Sequence, residues 1–340
     1  MQGIDHDRVA AWLGEHIDGA TPPYRFDLIT GGRSNLTFLV TDGAGSRYVL
    51  RRPPTGQVLA TAHDMAREHR LITAVGRTDV PVPRTLGLCT DEAVNGAPFY
   101  VMSNVEGEVL DSPDKARLLP EELRRPAAEH LIDVLADLHA ADVDAIGLGD
   151  LARKDGYVER QIRRWTTQWA SSKTRELPEI DQVAERLAAH IPEQQGVAIA
   201  HGDYRFGNVL TDVSRGRVAA VLDWELCTLG DPLADVGYLG VYWVGDDGVG
   251  RHNDPTSAPG FPTYAEMVER YAHRTGRDVS KINYYVAFSS FRLAVISEGV
   301  YARYVGGAMA DEADPAILDQ FKHATEDLAR TALAALRSMT

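Results

Sequence analysis

Two short segments carry the residues best suited to chemistry. His201, Gly202, Asp203, Tyr204, Arg205, Phe206, Gly207 and Asn208 run together, and Leu222, Asp223, Trp224 and Glu225 follow after an apolar stretch. A phosphoryl group in transfer spreads negative charge over its oxygens, so its catalyst mostly positions the reactants and neutralises charge. Asp203 can accept a hydrogen bond from an alcohol and aim that oxygen at phosphorus. Asn208 offers a neutral oxygen and Asp223 an anionic one to Mg²⁺, a hard cation that keeps several waters and so needs few protein ligands. Arg205 adds a cation beside Asp203 that can face the transferred phosphate. Singly, each residue has a plainer reading. Asp203 and Asn208 suit turns and Asp223 suits a helix cap. Together, flanked by strand-like runs at 197–200, 208–210 and 217–222, they favour catalysis.

The elements that must position these groups can be read along the chain. Val9, Trp12, Leu13 and Ile17 share one side of an amphipathic helix over 5–18. Strand-like runs follow at 24–30, 36–41 and 48–51, punctuated by glycines. The turn Gly31, Gly32, Arg33, Ser34, Asn35 lies between the first two runs. Glycine lets backbone amides approach phosphate oxygens, so Ser34 and Asn35 are candidates on a nucleotide-covering loop. Arg51 ends the third run, and Glu68 lies in a helix expected over 62–75. Further strands are expected at 84–89 and 98–103. Helices are expected at 127–140, 156–169, 263–275, 282–304 and 315–338, and another starts near Asp231 and Pro232. The segment 244–262, rich in Gly, Asp and Pro, is expected to be an exposed loop. On the long helix, Arg292 and Arg303 are candidate contacts to an acidic part of a substrate.

The run 201–210, with 222–225 and Gly230, Asp231, Pro232, Leu233, Ala234 and Asp235, resembles the aminoglycoside phosphotransferase/choline kinase-like family. The likeness is nearest to the branch related to the kinase-like domains of acyl-CoA dehydrogenase fusion proteins. It covers most of the chain, from about Tyr24 to the last helix. It implies an α+β, protein-kinase-like two-lobed fold: a small antiparallel β lobe with a helix over 1–105, and a mainly helical lobe over 106–340. It implies transfer of the ATP γ-phosphate to a hydroxyl of a small molecule. Asp203 would then be the base, with Arg205 beside it, and Asn208 and Asp223 would hold Mg²⁺. Arg51 stands where typical kinases carry Lys, with Glu68 as its partner. Backbone groups at Asn104 and Val105, in the segment between the lobes, would take the adenine edge. His201 and Asp235 would support the catalytic loop rather than react.

Composition narrows the classes. The chain has 340 residues, 44% hydrophobic, and a formal net charge of −14. That argues against a general nucleic-acid binder and leaves Arg51, Arg52 and Arg205 to build a local basic patch for ATP. Only Cys89 and Cys227 occur, which implies reduced core thiols rather than a disulfide framework. No run approaches the ~20 apolar residues of a membrane span, and the N-terminus has no secretory pattern, so a cytoplasmic protein without membrane partners is expected. The acceptor divides the functional reading. A hydroxyacyl thioester or hydroxy acid is favoured over an aminoglycoside. A nucleotide-binding pseudokinase is the alternative suggested by Arg51 in place of Lys.

Overall fold

The computed structural model describes residues 3–29, 35–55, 64–244, 254–306 and 315–339. Ser34 and residues 245–253 therefore lie outside the described residues. Helix α1 (His6–His16) opens the chain with Asp5 as its N-cap, the carboxylate accepting from the Arg8 amide. Strands β1 (Arg25–Leu28), β2 (Leu36–Thr41) and β3 (Arg47–Arg52) follow, then helix α2 (Met65–Val75). After these come β4 (Thr85–Cys89), a short α3 (Glu92–Asn95) and β5 (Phe99–Ser103). The strands form one antiparallel sheet in the order β1-β2-β3-β5-β4.

Side chains alternate across this sheet, and its faces have different partners. Phe26, Phe38, Val40, Leu50, Phe99 and Val101 pack with Val9, Trp12 and Leu13 of α1 in one cluster. The Trp12 and Phe99 rings meet edge to face at 4.9 Å. Val49, Tyr100 and Met102 face the other way and join Met65, Leu71, Ile72 and Val75 of α2 in the main core. The alternation also separates Arg51 from Arg52. Arg52 is buried on the α1 side, where it donates to the carbonyls of Gly3, Asn95 and Pro53. It is therefore not part of a basic patch shared with Arg51 and Arg205.

The second half is mainly helical. It comprises α4 (Pro113–Ala116), α5 (Glu121–Ala140), α6 (Tyr157–Ser172) and α7 (Pro178–Ala189), then β6 (Ala198–Ala200), β7 (Val209–Asp212), β8 (Arg217–Val221) and β9 (Thr228–Gly230). Helices α8 (Leu233–Val241), α9 (Tyr264–Thr275), α10 (Ile282–Val305) and α11 (Pro315–Arg337) complete it. Strands β7 and β8 form one antiparallel pair, and β6 and β9 another. Helix α8 crosses α10 closely at Gly237, where a Cβ would stand 2.4 Å from the Tyr285 backbone. Both cysteines are buried and free. Among the described residues, no helix is long and apolar enough to cross a membrane.

The segment expected to be an exposed loop is pinned down in its described part. Asp254, Pro255 and Thr256 are buried, the Thr256 hydroxyl accepts from the Val244 amide at 3.1 Å, and Trp243 Nε1 donates to the Pro262 carbonyl at 2.8 Å. Helix α7 was not anticipated, although Ile180, Val183, Ala184 and Leu187 bury one face of it at helical spacing.

Candidate active site

The loop from β6 to β7 carries Asp203, Arg205 and Asn208, and its shape is set from beneath by a buried acid. Asp235, in the first turn of α8, accepts the His201 amide at 2.7 Å and the Gly202 amide at 2.8 Å. His139 Nε2 lies 3.2 Å from the same carboxylate, and its Nδ1 lies 2.7 Å from the Tyr271 hydroxyl. Gly202 takes φ +82°, a conformation that side chains rarely adopt, and lets the chain turn at this point. His201 Nδ1 accepts the Asp203 amide and its Nε2 bonds the Leu222 carbonyl at 2.8 Å. These partners define a neutral ring protonated at Nε2. His201 thus stitches the loop to the residue preceding Asp223, and the Leu222 amide returns the link to the Asn208 carbonyl at 2.9 Å.

Asp235→Ala would leave two buried amides and the His139 ring without their acceptor. Breaking a buried polar set from one side costs about 3–5 kcal/mol. The expected result is a large drop in the urea midpoint measured by circular dichroism. A change below 1 kcal/mol would show that the loop does not depend on this acid.

Within the loop, Asp203 is half-buried and committed on one oxygen only. Its Oδ1 accepts from the Tyr238 hydroxyl at 2.5 Å and lies 3.5 Å from Arg205 Nε. Burial first, and the nearby Asp203 charge second, push the Tyr238 hydroxyl well above its ordinary range, so it stays protonated and donates. Among the described residues Oδ2 has no hydrogen bond, which leaves that oxygen for an incoming alcohol. The Arg205 guanidinium stacks 5.0 Å from the centre of the Tyr242 ring. Burial opposes its charge, but Asp203 and its neighbours more than offset this, and the group holds its proton more tightly than a free arginine. The Asn208 amide nitrogen donates to the Asp203 carbonyl at 2.7 Å. That bond fixes the amide orientation and leaves Oδ1 as the uncommitted end.

Asp223 follows β8 with φ 62° and ψ 62°, the only positive φ at a non-glycine among the described residues. A left-handed Asp is uncommon, and such strain concentrates at functional sites. Its Oδ1 accepts from Arg51 Nη2 at 2.7 Å. Arg51 reaches Glu68 Oε2 with its Nε at 3.1 Å, and the Tyr100 hydroxyl donates to the same oxygen at 3.1 Å. Arg51 and Tyr100 are cross-strand partners on β3 and β5, which is why both meet Glu68 on α2. Burial works against the Arg51 charge, yet Glu68 and Asp223 raise its pKa overall. Asn35 Nδ2 completes the cluster, 3.1 Å from Glu68 and 3.3 Å from Glu225. Arg67 of α2 donates to the Cys227 carbonyl, tying the helix to the same loop.

Asn35, Arg51, Glu68 and Asp223 are thus brought into one linked cluster, and Asp203, Arg205 and Asn208 into a second, joined to the first through His201 and Leu222. Ser34 lies outside the described residues. Asn104 and Val105 follow β5 directly and are half-buried. Just past them, Glu108 exchanges backbone hydrogen bonds with Thr211 on β7 at 2.9 and 2.8 Å, so this connection leans on the β7–β8 hairpin. Sequence reasoning assigned no role to Tyr100, Tyr238, Tyr242 or Glu225. Arg303 is exposed near the end of α10 and Arg292 is buried in it.

Among the described residues, no three or more His, Cys, Asp or Glu side chains form a metal cage. One amide oxygen and one carboxylate, Asn208 and Asp223, are what Mg²⁺ requires when phosphate and water supply the rest. The donor set fits that ion, and not zinc, which takes four tightly held nitrogen or sulfur ligands.

A small twisted sheet with one helix against it, a short connection, and a helical body carrying Asp203, Asn208 and Asp223 define a two-lobed, protein-kinase-like α+β fold. The comparisons agree. The model of the phosphotransferase enzyme family matches residues 26–282, and the chain belongs to that family. It is an enzyme of the phosphotransferase class with an alcohol group of a small molecule as acceptor. A solved Ralstonia eutropha protein, named as a candidate aminoglycoside phosphotransferase, superimposes with a TM-score of 0.82 at 35% identity, covering 98% of each chain. The Arabidopsis thaliana protein named probable acyl-CoA dehydrogenase IBR3 is 36% identical over 91% of this chain and 40% of its own length. The mouse acyl-CoA dehydrogenase family member 10 is 35% identical over 94% of this chain and 30% of its own length. The chain therefore spans less than half of these curated relatives.

Proposed function

We propose that the protein moves the γ-phosphate of ATP, with Mg²⁺, to the hydroxyl of a hydroxy acid or hydroxyacyl thioester. The reading is supported above all by the pair of clusters joined at Leu222, with the half-committed carboxylate of Asp203, the oriented amide of Asn208 and the strained Asp223. Asp203 Oδ2 would take the proton of the acceptor alcohol as its oxygen forms a bond to the γ-phosphorus. The bond from that phosphorus to the β–γ bridging oxygen breaks, and ADP leaves. Arg205 balances the charge spread over the moving group. Asn208 and Asp223 would hold Mg²⁺, which when bound neutralises the phosphate oxygens. Arg51, held by Glu68, would turn to the nucleotide phosphates under the Ser34 and Asn35 loop. The backbone at Asn104 and Val105 would take the adenine edge, at the proposed boundary between lobes 1–105 and 106–340.

An aminoglycoside is a polycation and suits an acidic acceptor wall, whereas here the groups around Tyr238 and Tyr242 include Arg205 and Arg292. A non-catalytic nucleotide binder is the reading that the Arg51 contact with Asp223 favours, because that contact occupies a metal ligand. The test is ADP release from Mg-ATP with a panel of hydroxy acids, their coenzyme A thioesters and aminoglycosides. Turnover that needs both the metal and a hydroxylated acid or thioester is the expected result. Nucleotide-dependent thermal stabilisation with no turnover on any acceptor would favour the non-catalytic reading.

A further inference from the structure

Among the described residues, Arg292 is the one buried arginine whose charge is left without a hydrogen-bonded or ion-paired partner. Arg52, Arg124 and Arg292 are all at least nine-tenths buried. Arg52 donates to three carbonyls, and Arg124 to those of Leu119 and Pro259. Arg292 makes no hydrogen bond or ion pair among the described residues, and its Nε is fully enclosed with no acceptor. Its guanidinium lies instead between two rings, 5.3 Å from the centre of Tyr238 and 5.7 Å from that of Trp165. Aromatic faces recover only part of the cost of taking a cation out of water. Arginine cannot escape by losing its proton. A site built this way lacks an acceptor, and the guanidinium fork matches a carboxylate or phosphate bidentately.

The position says which molecule supplies that acceptor. Tyr238 is the ring beneath Arg292, and its hydroxyl is bonded to Asp203. Trp165 projects from α6, half-buried, with the exposed Arg164 5.2 Å from its ring. Arg292 therefore sits one tyrosine away from Asp203, the carboxylate proposed above to receive the alcohol proton.

We propose that Arg292 is the receptor for an oxyanion on the acceptor, so that the enzyme selects alcohols that also carry a carboxylate or phosphate. This inference rests on the phosphotransferase reading of the same site and names its substrate class. Arg292 is a specificity residue, not a participant in the transfer. The oxyanion has two sources, the carboxylate of a free hydroxy acid or a phosphate of a carrier thioester, and both bring the same chemistry to the guanidinium.

The experiment separates binding from turnover. Thermal stabilisation of the full chain, with Mg²⁺ and a non-hydrolysable ATP analogue present, is measured against a hydroxy acid, its coenzyme A thioester and its neutral amide, for wild type, Arg292→Gln and Arg292→Lys. Wild type should bind the acid or the thioester at least tenfold more tightly than the amide. Arg292→Gln should weaken the preferred anion roughly 30–1,000-fold and abolish the preference, while the nucleotide-dependent shift stays in place. Arg292→Lys should restore part of the preference. The anion that loses affinity identifies the source. Where turnover is found, the loss should fall on KM more than on kcat. Equal binding of amide and anions by wild type overturns the proposal, as does an Arg292→Gln variant that keeps the preference. Absence of ADP release with every acceptor would count against the phosphotransferase reading alone, because the binding comparison needs no turnover.

Discussion

Asp203→Asn is expected to lower kcat by roughly 10²- to 10⁴-fold, the usual contribution of a positioned general base. The substitution is chosen for what it preserves. Asn can still accept the Tyr238 hydroxyl that now bonds Oδ1 at 2.5 Å, so the loop keeps its anchor. The anionic oxygen that would receive the alcohol proton is lost. The Arg205 guanidinium, 3.5 Å from the same carboxylate, loses a charge partner and remains available to the phosphate. The effect should therefore appear in kcat with an anion-bearing acceptor, while stabilisation by Mg-ATP changes little. Steady-state ADP release read beside a thermal-shift titration separates the two. A variant within tenfold of wild-type kcat would remove Asp203 from the base role and leave it as a hydrogen-bonded strut.

The parts of this site legible in the sequence are those in which one short segment holds several chemical groups. Asp203, Arg205 and Asn208 lie within one loop, and Asp223 at the end of an apolar strand, so spacing alone groups them. Arg51 and Glu68 are legible for a different reason: the family resemblance puts a phosphate-pairing cation at the end of the third strand and its partner acid on the helix that follows. Tyr238, Tyr242 and Trp165 are not legible in this way. They lie on α8, just past it, and on α6, where aromatic spacing is indistinguishable from that of ordinary core. Only the tertiary packing brings Tyr238 to Asp203 and Arg292 to Tyr238. The same limit explains β9, a three-residue strand whose pairing with β6 depends on a non-local contact. It also explains the 254–262 segment, where Gly, Asp and Pro signal irregular backbone correctly but say nothing of burial. Arg52 follows a simpler rule, since the strand period of two sends it away from Arg51.

Asp223→Asn is expected to reduce turnover by roughly 10³-fold, the scale of removing one preorganised electrostatic contact to the transition state. It is also expected to reduce the stabilisation by Mg-ATP to that given by ATP with a chelator. Asp223 has two claims on its carboxylate. Arg51 Nη2 holds Oδ1 at 2.7 Å, and in the proposed reaction the same carboxylate would face Mg²⁺. Arg51 keeps its second partner, Glu68, at 3.1 Å, so it would stay held by that acid if Asp223 served the metal instead. Asn tolerates the left-handed backbone at this position far better than most residues, which keeps the φ of 62° from confounding the measurement. Asp223→Ala makes that confounding visible, because a left-handed Ala costs about 1–2 kcal/mol. Ala should lower both stability and turnover, Asn chiefly turnover. Wild-type metal dependence in Asp223→Asn would separate the magnesium ligand from this strained position, and would leave the Arg51 contact as a purely structural link between the sheet and the catalytic hairpin.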